Sequence, residues 1–177
     1  MSPEAIIIRG RYYKMIKDLT SDTEIRPRLF DNMYKAYIFC AIYGLMKGRR
    51  NTYNPKTDET QDGEIATIRS EVLVGQKGKD NYFNIRKMII LMDDSRGYTI
   101  EEKVDAALRF DIPIEDDSDE YIKQHSKYNS NTELINMYAL GGLELFYNSI
   151  SECDTTESLI YRIKESEENL RKSLGYE

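Results

Sequence analysis

Cysteine and histidine are scarce in this chain of 177 residues, and their scarcity limits what kind of protein it can be. Two cysteines, Cys40 and Cys153, do not make a disulfide framework. Because Cys40 lies in the most apolar stretch of the chain, we expect a reduced cysteine in the core. The one histidine, His125, has no metal-ligand spacing to either cysteine, so we expect no metal site and no cofactor. A histidine-dependent catalytic site would have to use His125, and no nucleophile is recognisable beside it, so no catalytic residue is predicted.

Long uncharged stretches are also lacking. The stretch Ala36–Met46 has 11 residues without a charge, whereas a membrane-spanning helix needs about 20. We therefore expect a buried helix at this position and no membrane association. The first four residues contain no basic region before the short apolar run that follows, so no signal peptide is expected. The expected location is the cytoplasm.

Familiar ligand-binding motifs are absent too. The segment Gly75–Asp80 resembles a phosphate-binding loop, but two residues instead of four separate its glycines, and Asp80 stands where Ser or Thr is required. The acidic run Glu115–Glu120 lacks the glycine and the spacing of a calcium loop, and is typical of a solvated linker. Carboxylates from separate elements could still converge on two metal ions, which leaves a metal-dependent nuclease as an unfavoured alternative. An enzyme is therefore the less favoured class.

What the chain has in quantity is helical periodicity. The stretch 29–47 is apolar on all sides, which predicts a central helix ended by Gly48 in a left-handed conformation. Thr99 and Glu102 have the spacing of a capping box, which predicts a helix from there to about residue 110, with Val104, Ala107 and Leu108 inward. The pattern predicts a mainly α fold: a compact, single-domain bundle of six or seven helices over residues 1–177. Further helices are predicted over residues 64–74, 80–92, 121–128, 132–149 and 155–174, the last with an apolar stripe of Leu159, Ile160, Ile163, Leu170 and Leu174. Loops are predicted over 48–63 and 111–119, and a short strand or extended arm at residues 1–10 around Ile6–Ile8.

Charge is distributed unevenly along the sequence. Residues 1–90 carry a net charge of +5 and residues 91–177 a net charge of −11. Such asymmetry suggests an interaction surface on the basic half, although two halves that face each other in one fold would give the same pattern. The candidate residues for binding nucleic acid or a partner protein are Lys47, Arg49, Arg50, Lys77 and Lys79. The alternative is a basic face that is solvated or paired with carboxylates.

Three glycines lie inside the helical patterns, where each costs about 1 kcal/mol relative to alanine. Gly141 and Gly142 are adjacent in the stretch 132–149, and Gly44 lies in the stretch 29–47. We expect close packing against another backbone at these positions, since only a hydrogen fits there.

Two of these stretches together resemble a known family. The first runs from Leu29-Phe30 through Ala36-Tyr37-Ile38-Phe39-Cys40-Ala41-Ile42-Tyr43-Gly44-Leu45-Met46-Lys47-Gly48-Arg49-Arg50, and the second is Tyr138-Ala139-Leu140-Gly141-Gly142-Leu143-Glu144-Leu145. Together they look like the small accessory proteins encoded beside bacterial DNA phosphorothioation (sulfur-modification) and related phage-defence systems. The resemblance touches residues 29–50 and 80–150. It implies a setting in DNA modification or restriction, and it makes Arg49 and Arg50 the positions most relevant beyond packing. It supplies no catalytic residues.

Three functions remain open at this point. The first is a non-enzymatic accessory protein of a DNA-modification or phage-defence system that acts through a protein partner. The second is a protein that binds DNA directly through the basic patch of the first half. The third is the carboxylate-metal nuclease.

Overall fold

The computed structural model describes residues 6–22, 27–60, 63–68, 82–109, 130–151, 153 and 155–173, together with residues 119, 123 and 126. Seven α-helices and one two-stranded sheet are present in these ranges, so the predicted mainly α fold is confirmed. In chain order the elements are β1 (Ile6–Arg9), α1 (Gly10–Thr20), α2 (Met33–Met46), α3 (Pro55–Asp58), β2 (Ile65–Ile68), α4 (Tyr82–Met92), α5 (Ile100–Val104) with a π-helical turn at Asp105–Arg109, α6 (Asn131–Ser151) and α7 (Thr156–Ser173).

The central pair is α2 and α6, which lie antiparallel along the middle of the core. Cys40 of α2 lies beside Gly142 of α6, and Asn51, after the end of α2, bonds to Met137, earlier in α6. Both helices bury residues on several sides, as the apolar sequence of α2 predicts. Cys40 is a free, buried thiol, and burial raises its pKa, which confirms the reduced core cysteine.

The ends of two helices follow the local sequence rules closely. Gly48 has φ +61° just after the end of α2, so the predicted left-handed glycine is confirmed. Before α5, the Thr99 hydroxyl accepts from the Glu102 backbone N–H at 3.2 Å, and the Glu102 carboxylate accepts from the Thr99 backbone N–H at 3.0 Å. The predicted capping box is therefore confirmed as well.

The two-stranded sheet shows that Ile6–Ile8 form a strand and that part of the helix predicted over residues 64–74 is a strand as well. Ile6 and Ile8 are buried in β1, which pairs antiparallel with β2 of the same chain, with Ile6 opposite Ile68 and Ile8 opposite Ala66. The start of the chain is thus a strand from residue 6. The helix predicted over residues 64–74 is wrong at residues 65–68, which form β2; residues 69–74 lie outside the described ranges.

Two helix faces differ from the predicted ones. Ala107 is buried as predicted, but Val104 and Leu108 are exposed, and Ala106 is the other buried residue of the π-helical turn that follows α5. In α7, Leu159 is buried, but Ile160, which the periodicity placed on the inward stripe, is half exposed. The loop predicted over residues 48–63 contains the single helical turn α3. Residues 110–118, His125 and the segment Gly75–Asp80 lie outside the described residues.

None of the described helices combines the length and the apolarity that crossing a membrane requires.

Candidate functional site

The segment that follows α2 carries three of the five predicted binding residues. Lys47, Arg49 and Arg50 are exposed, and we call residues Lys47–Asn51 the basic loop. Lys77 and Lys79 lie outside the described residues. Of the predicted binding residues, the structure therefore describes those of the basic loop.

Backbone contacts hold the basic loop against α6. The Arg49 N–H donates to the Gly44 carbonyl of α2 at 2.8 Å, which closes the turn after that helix. The Asn51 N–H donates to the Met137 carbonyl of α6 at 2.9 Å. A Cβ atom on Gly141 would lie 2.4 Å from the Arg49 carbonyl oxygen, which is far inside van der Waals contact. The absence of a side chain at Gly141 is thus what lets the loop backbone lie directly on the helix.

The same lack of side chains brings α2 and α6 together. A Cβ on Gly44 would lie 2.1 Å from the Tyr138 carbonyl oxygen, and one on Gly142 would lie 1.9 Å from the Cys40 carbonyl oxygen. All three glycines face the backbone of another segment at close range. The basic loop is therefore positioned by a helix pair whose separation the glycines determine.

The three cations of the basic loop have different neighbours. Arg49 shares the Glu144 carboxylate, at 3.8 Å, with Arg11, which contacts it at 2.8 Å. The Arg50 guanidinium carbon lies 5.9 Å from the centroid of the Tyr138 ring. The Lys47 ammonium lies 5.8 Å from the centroid of the Tyr43 ring, on the side of α2 that faces α7. Among the described residues no carboxylate pairs with Lys47 or Arg50, so their charge is available to an anionic partner.

Glu144 is the anchor of the loop, and sequence reasoning missed it. Its carboxylate is mostly buried and also accepts from the Asn51 side-chain amide at 2.9 Å. Arg11, its partner on α1, contacts the buried Asp58 of α3 at 2.8 Å as well. A glutamate between Leu143 and Leu145 in an apolar helix was the available signal, because a charge there needs a buried partner.

Replacing Glu144 with glutamine tests this anchor. Glutamine keeps the shape and one accepting oxygen but loses the charge that two arginines share. We expect the free energy of unfolding to fall by about 1–2 kcal/mol, because hydrogen bonds to charged groups contribute about 1.5–3 kcal/mol each. Urea unfolding at neutral pH measures the change. Glu168→Gln, an exposed change on α7, is the control and should stay within about 0.5 kcal/mol. Equal effects of the two changes would show that Glu144 is not an anchor.

A second polar network lies beside the loop and was also missed. Asp93, which is buried after α4, accepts from the Tyr138 hydroxyl at 2.7 Å and from Arg96 Nε at 3.0 Å. Burial together with the hydrogen bond to the Asp93 carboxylate raises the pKa of Tyr138 to about 12. The phenol is therefore a neutral donor at physiological pH, and its ring is the surface over which Arg50 lies. This network positions the loop and offers no free nucleophile.

Metal ligands do not cluster in the described ranges: no three histidine, cysteine, aspartate or glutamate side chains are grouped there so that they could hold an ion. Cofactor chemistry thus gains no support from the described residues. The comparisons with known proteins add no function, since no protein-family model, no curated protein and no solved structure matches this chain.

Proposed function

We propose that this protein is a non-enzymatic accessory protein of a DNA-modification or phage-defence system and that it binds an acidic surface of a partner protein through the basic loop. One observation carries the proposal: exposed cations stand on a backbone that is fixed to α6, and Lys47 and Arg50 have no carboxylate partner among the described residues. A fixed backbone lowers the entropy that binding must offset. The cellular setting comes from the resemblance of residues 29–50 and 138–145.

Protein binding is favoured over DNA binding by the charge that surrounds the loop. Glu144 already takes up part of the charge of Arg49 and Arg11, and the whole chain has a net charge of −6. A duplex presents a dense line of phosphates, and a strongly acidic protein gains little from it. A small acidic patch on a protein requires only the few cations that the loop presents.

Direct binding of duplex DNA is the second candidate. The observation that favours it is the pairing of exposed cations with tyrosine rings, Lys47 with Tyr43 and Arg50 with Tyr138, since cations and aromatic side chains together suit phosphates and bases. It predicts binding that weakens steeply with salt.

The test is a double variant, Arg49→Ala with Arg50→Ala, compared with the tagged wild-type protein in its native host. We expect the wild type to co-purify with a component of a DNA-modification or restriction system, and we expect affinity for that purified component to fall at least about tenfold in the variant, which corresponds to about 1.4 kcal/mol. Lys164→Ala with Lys172→Ala removes the same charge from exposed positions of α7 and should leave binding unchanged.

Fluorescence anisotropy of labelled duplex DNA at low and physiological salt separates the two candidates. Salt-sensitive binding that the Arg49 and Arg50 changes abolish supports the second candidate. The proposal fails if no component of such a system binds, or if the α7 control loses as much affinity as the loop variant.

A further inference from the structure

A small cleft is lined by Lys47 but not by Arg49 or Arg50. It has a volume of about 230 Å³ and lies between the end of α2, the last turns of α6 and one face of α7. Its lining residues are Tyr43, Lys47, Ser149, Arg162, Glu165 and Asn169. The structure thus brings Lys47 together with Arg162, a cation of α7 that lies 115 positions further along the chain.

Three of the side chains that line this cleft can donate hydrogen bonds to a ligand. Lys47 contributes an ammonium group, and Asn169 contributes a side-chain amide. Arg162 donates through Nη1 to Glu165 at 3.3 Å, and no described residue takes up the other N–H groups of its guanidinium, which can therefore donate to a ligand. Ser149 already donates its hydroxyl proton to the Phe146 carbonyl at 2.6 Å, so this proton does not donate to a ligand.

The charge of the cleft is also positive. Lys47 and Arg162 are opposed there by the carboxylate of Glu165, which Arg162 itself binds. The Lys47 ammonium lies 5.8 Å from the centroid of the Tyr43 ring, and both side chains line the cleft. Donors arriving from two helices at one point suit a ligand that accepts hydrogen bonds in several directions. A carboxylate is planar with two oxygens, whereas a phosphate group presents three terminal oxygens and a charge of about −1.5 to −2.

We propose that this cleft binds the phosphate group of a phosphomonoester, with Lys47 and Arg162 as its charged ligands and Asn169 as a neutral donor. The proposal goes beyond the binding of a partner protein by the basic loop, and it stands on Arg162 and Asn169, which lie outside that loop. A phosphomonoester presents all three terminal oxygens, whereas a phosphate of a nucleic-acid backbone is a diester with two terminal oxygens and a single charge, so a monoester is the favoured source. The affinity for phosphate alone is in the millimolar range, because the cleft is open to solvent and its charges are screened.

The test is an NMR titration of the isotopically labelled full chain with inorganic phosphate, with sodium chloride at equal ionic strength as the reference. We expect saturable shifts of the Asn169 side-chain amide and of the backbone amides of Lys47 and Arg162. In Arg162→Gln the affinity should fall at least about fivefold, or about 1 kcal/mol. Lys164→Ala is the matched control, since it removes an exposed cation two residues away that does not line the cleft, and it should bind as the wild type does.

A pair of short oligonucleotides, one with a 5′-phosphate and one with a 5′-hydroxyl, then identifies the source of the phosphate. Stronger binding of the phosphorylated strand identifies a phosphomonoester, and equal binding of both strands identifies a backbone phosphate. The proposal is overturned if no shift saturates below about 50 mM phosphate, or if Lys164→Ala weakens binding as much as Arg162→Gln. Arg49→Ala with Arg50→Ala should leave phosphate binding intact, so a failure of the loop proposal and a failure of the cleft proposal are distinguishable.

Discussion

A Gly142→Ala variant is expected to lose about 3 kcal/mol or more of its free energy of unfolding, at or above the upper end of the usual cost of overpacking a core. The added Cβ would lie 1.9 Å from the Cys40 carbonyl oxygen and 2.6 Å from the Gly44 nitrogen. Both atoms belong to the backbone of α2, so no side-chain rotation relieves the clash. The two central helices would have to move apart, and the contacts that position the basic loop would be lost.

Urea unfolding measures this loss, and the midpoint of thermal unfolding should fall by about 6–12 °C, since 1 kcal/mol corresponds to about 2–4 °C for a domain of this size. Asn148→Ala is the matched control, because it lies in the same helix but is exposed, so it should change stability by no more than about 0.5 kcal/mol. A loss below about 1 kcal/mol for Gly142→Ala would mean that α2 and α6 are less closely packed than the structure shows.

The glycines show what sequence reasoning reaches well. An adjacent glycine pair in a helix costs stability locally, so its presence indicates a compensating contact elsewhere, and the structure places backbone atoms there. Gly48 and the pair Thr99 and Glu102 are predictable for the same reason: each is a local rule that needs information from only a few residues. Local sequence rules therefore predict the end of α2 and the start of α5 correctly.

The strand β2 shows where local rules fail. Its four residues bury Ala66 and Ile68 and expose Ile65, which is too short a pattern to separate a strand from a helix. The partner that decides the matter, β1, lies more than 50 positions earlier in the chain. The π-helical turn at Asp105–Arg109 is a second case, because the wider turn changes which residues face inward and a search at helical period assumes that no such turn occurs.

The candidate site divides in the same way. The cations of the basic loop are visible in the sequence as a cluster, but their partners are not. Glu144 comes to Arg11 and Arg49 from another helix, and Arg162 comes to Lys47 from a third. Which charge meets which is a property of the packing of α1, α2, α6 and α7, so the sequence could not separate paired cations from available ones.

An Asp93→Asn variant is expected to lose about 3–5 kcal/mol, the usual cost of removing one partner from a buried ion pair. The carboxylate accepts from Ser95, Arg96 and Tyr138, and it is almost fully buried. Asparagine has the same shape, but its NH₂ group would face donors, and Arg96 would keep its charge without the carboxylate. Arg96 also donates to Asn131 at 2.8 Å, so the loss extends to the start of α6.

The dependence on pH distinguishes a lost charge from a lost shape. Burial raises the pKa of Asp93, but the hydrogen bonds from Ser95, Tyr138 and Arg96 outweigh it, so its pKa lies below the ordinary value of 3.8. A carboxylate with a lowered pKa stabilises the fold above its unfolded-state pKa, and this contribution is lost as the pH falls through the folded-state pKa. The stability gap between wild type and Asp93→Asn should therefore be constant from pH 7 to about pH 5 and should narrow below about pH 4.

Asp94→Asn is the control for this experiment, because the adjacent carboxylate is exposed and pairs with Lys103 at 2.5 Å. Lys103 is mostly buried, but the Asp94 end of the pair is almost fully exposed, so water screens the pair and it contributes about 0–1 kcal/mol. The control should therefore stay close to the wild type at every pH. If Asp93→Asn were no more destabilising than Asp94→Asn at pH 7, the buried network would not hold the segment after α4 to α6. If the difference in free energy of unfolding between the wild type and Asp93→Asn stayed constant down to pH 3, the destabilisation would come from the shape of the side chain. Only a titrating carboxylate makes the wild type lose stability relative to the variant in acid.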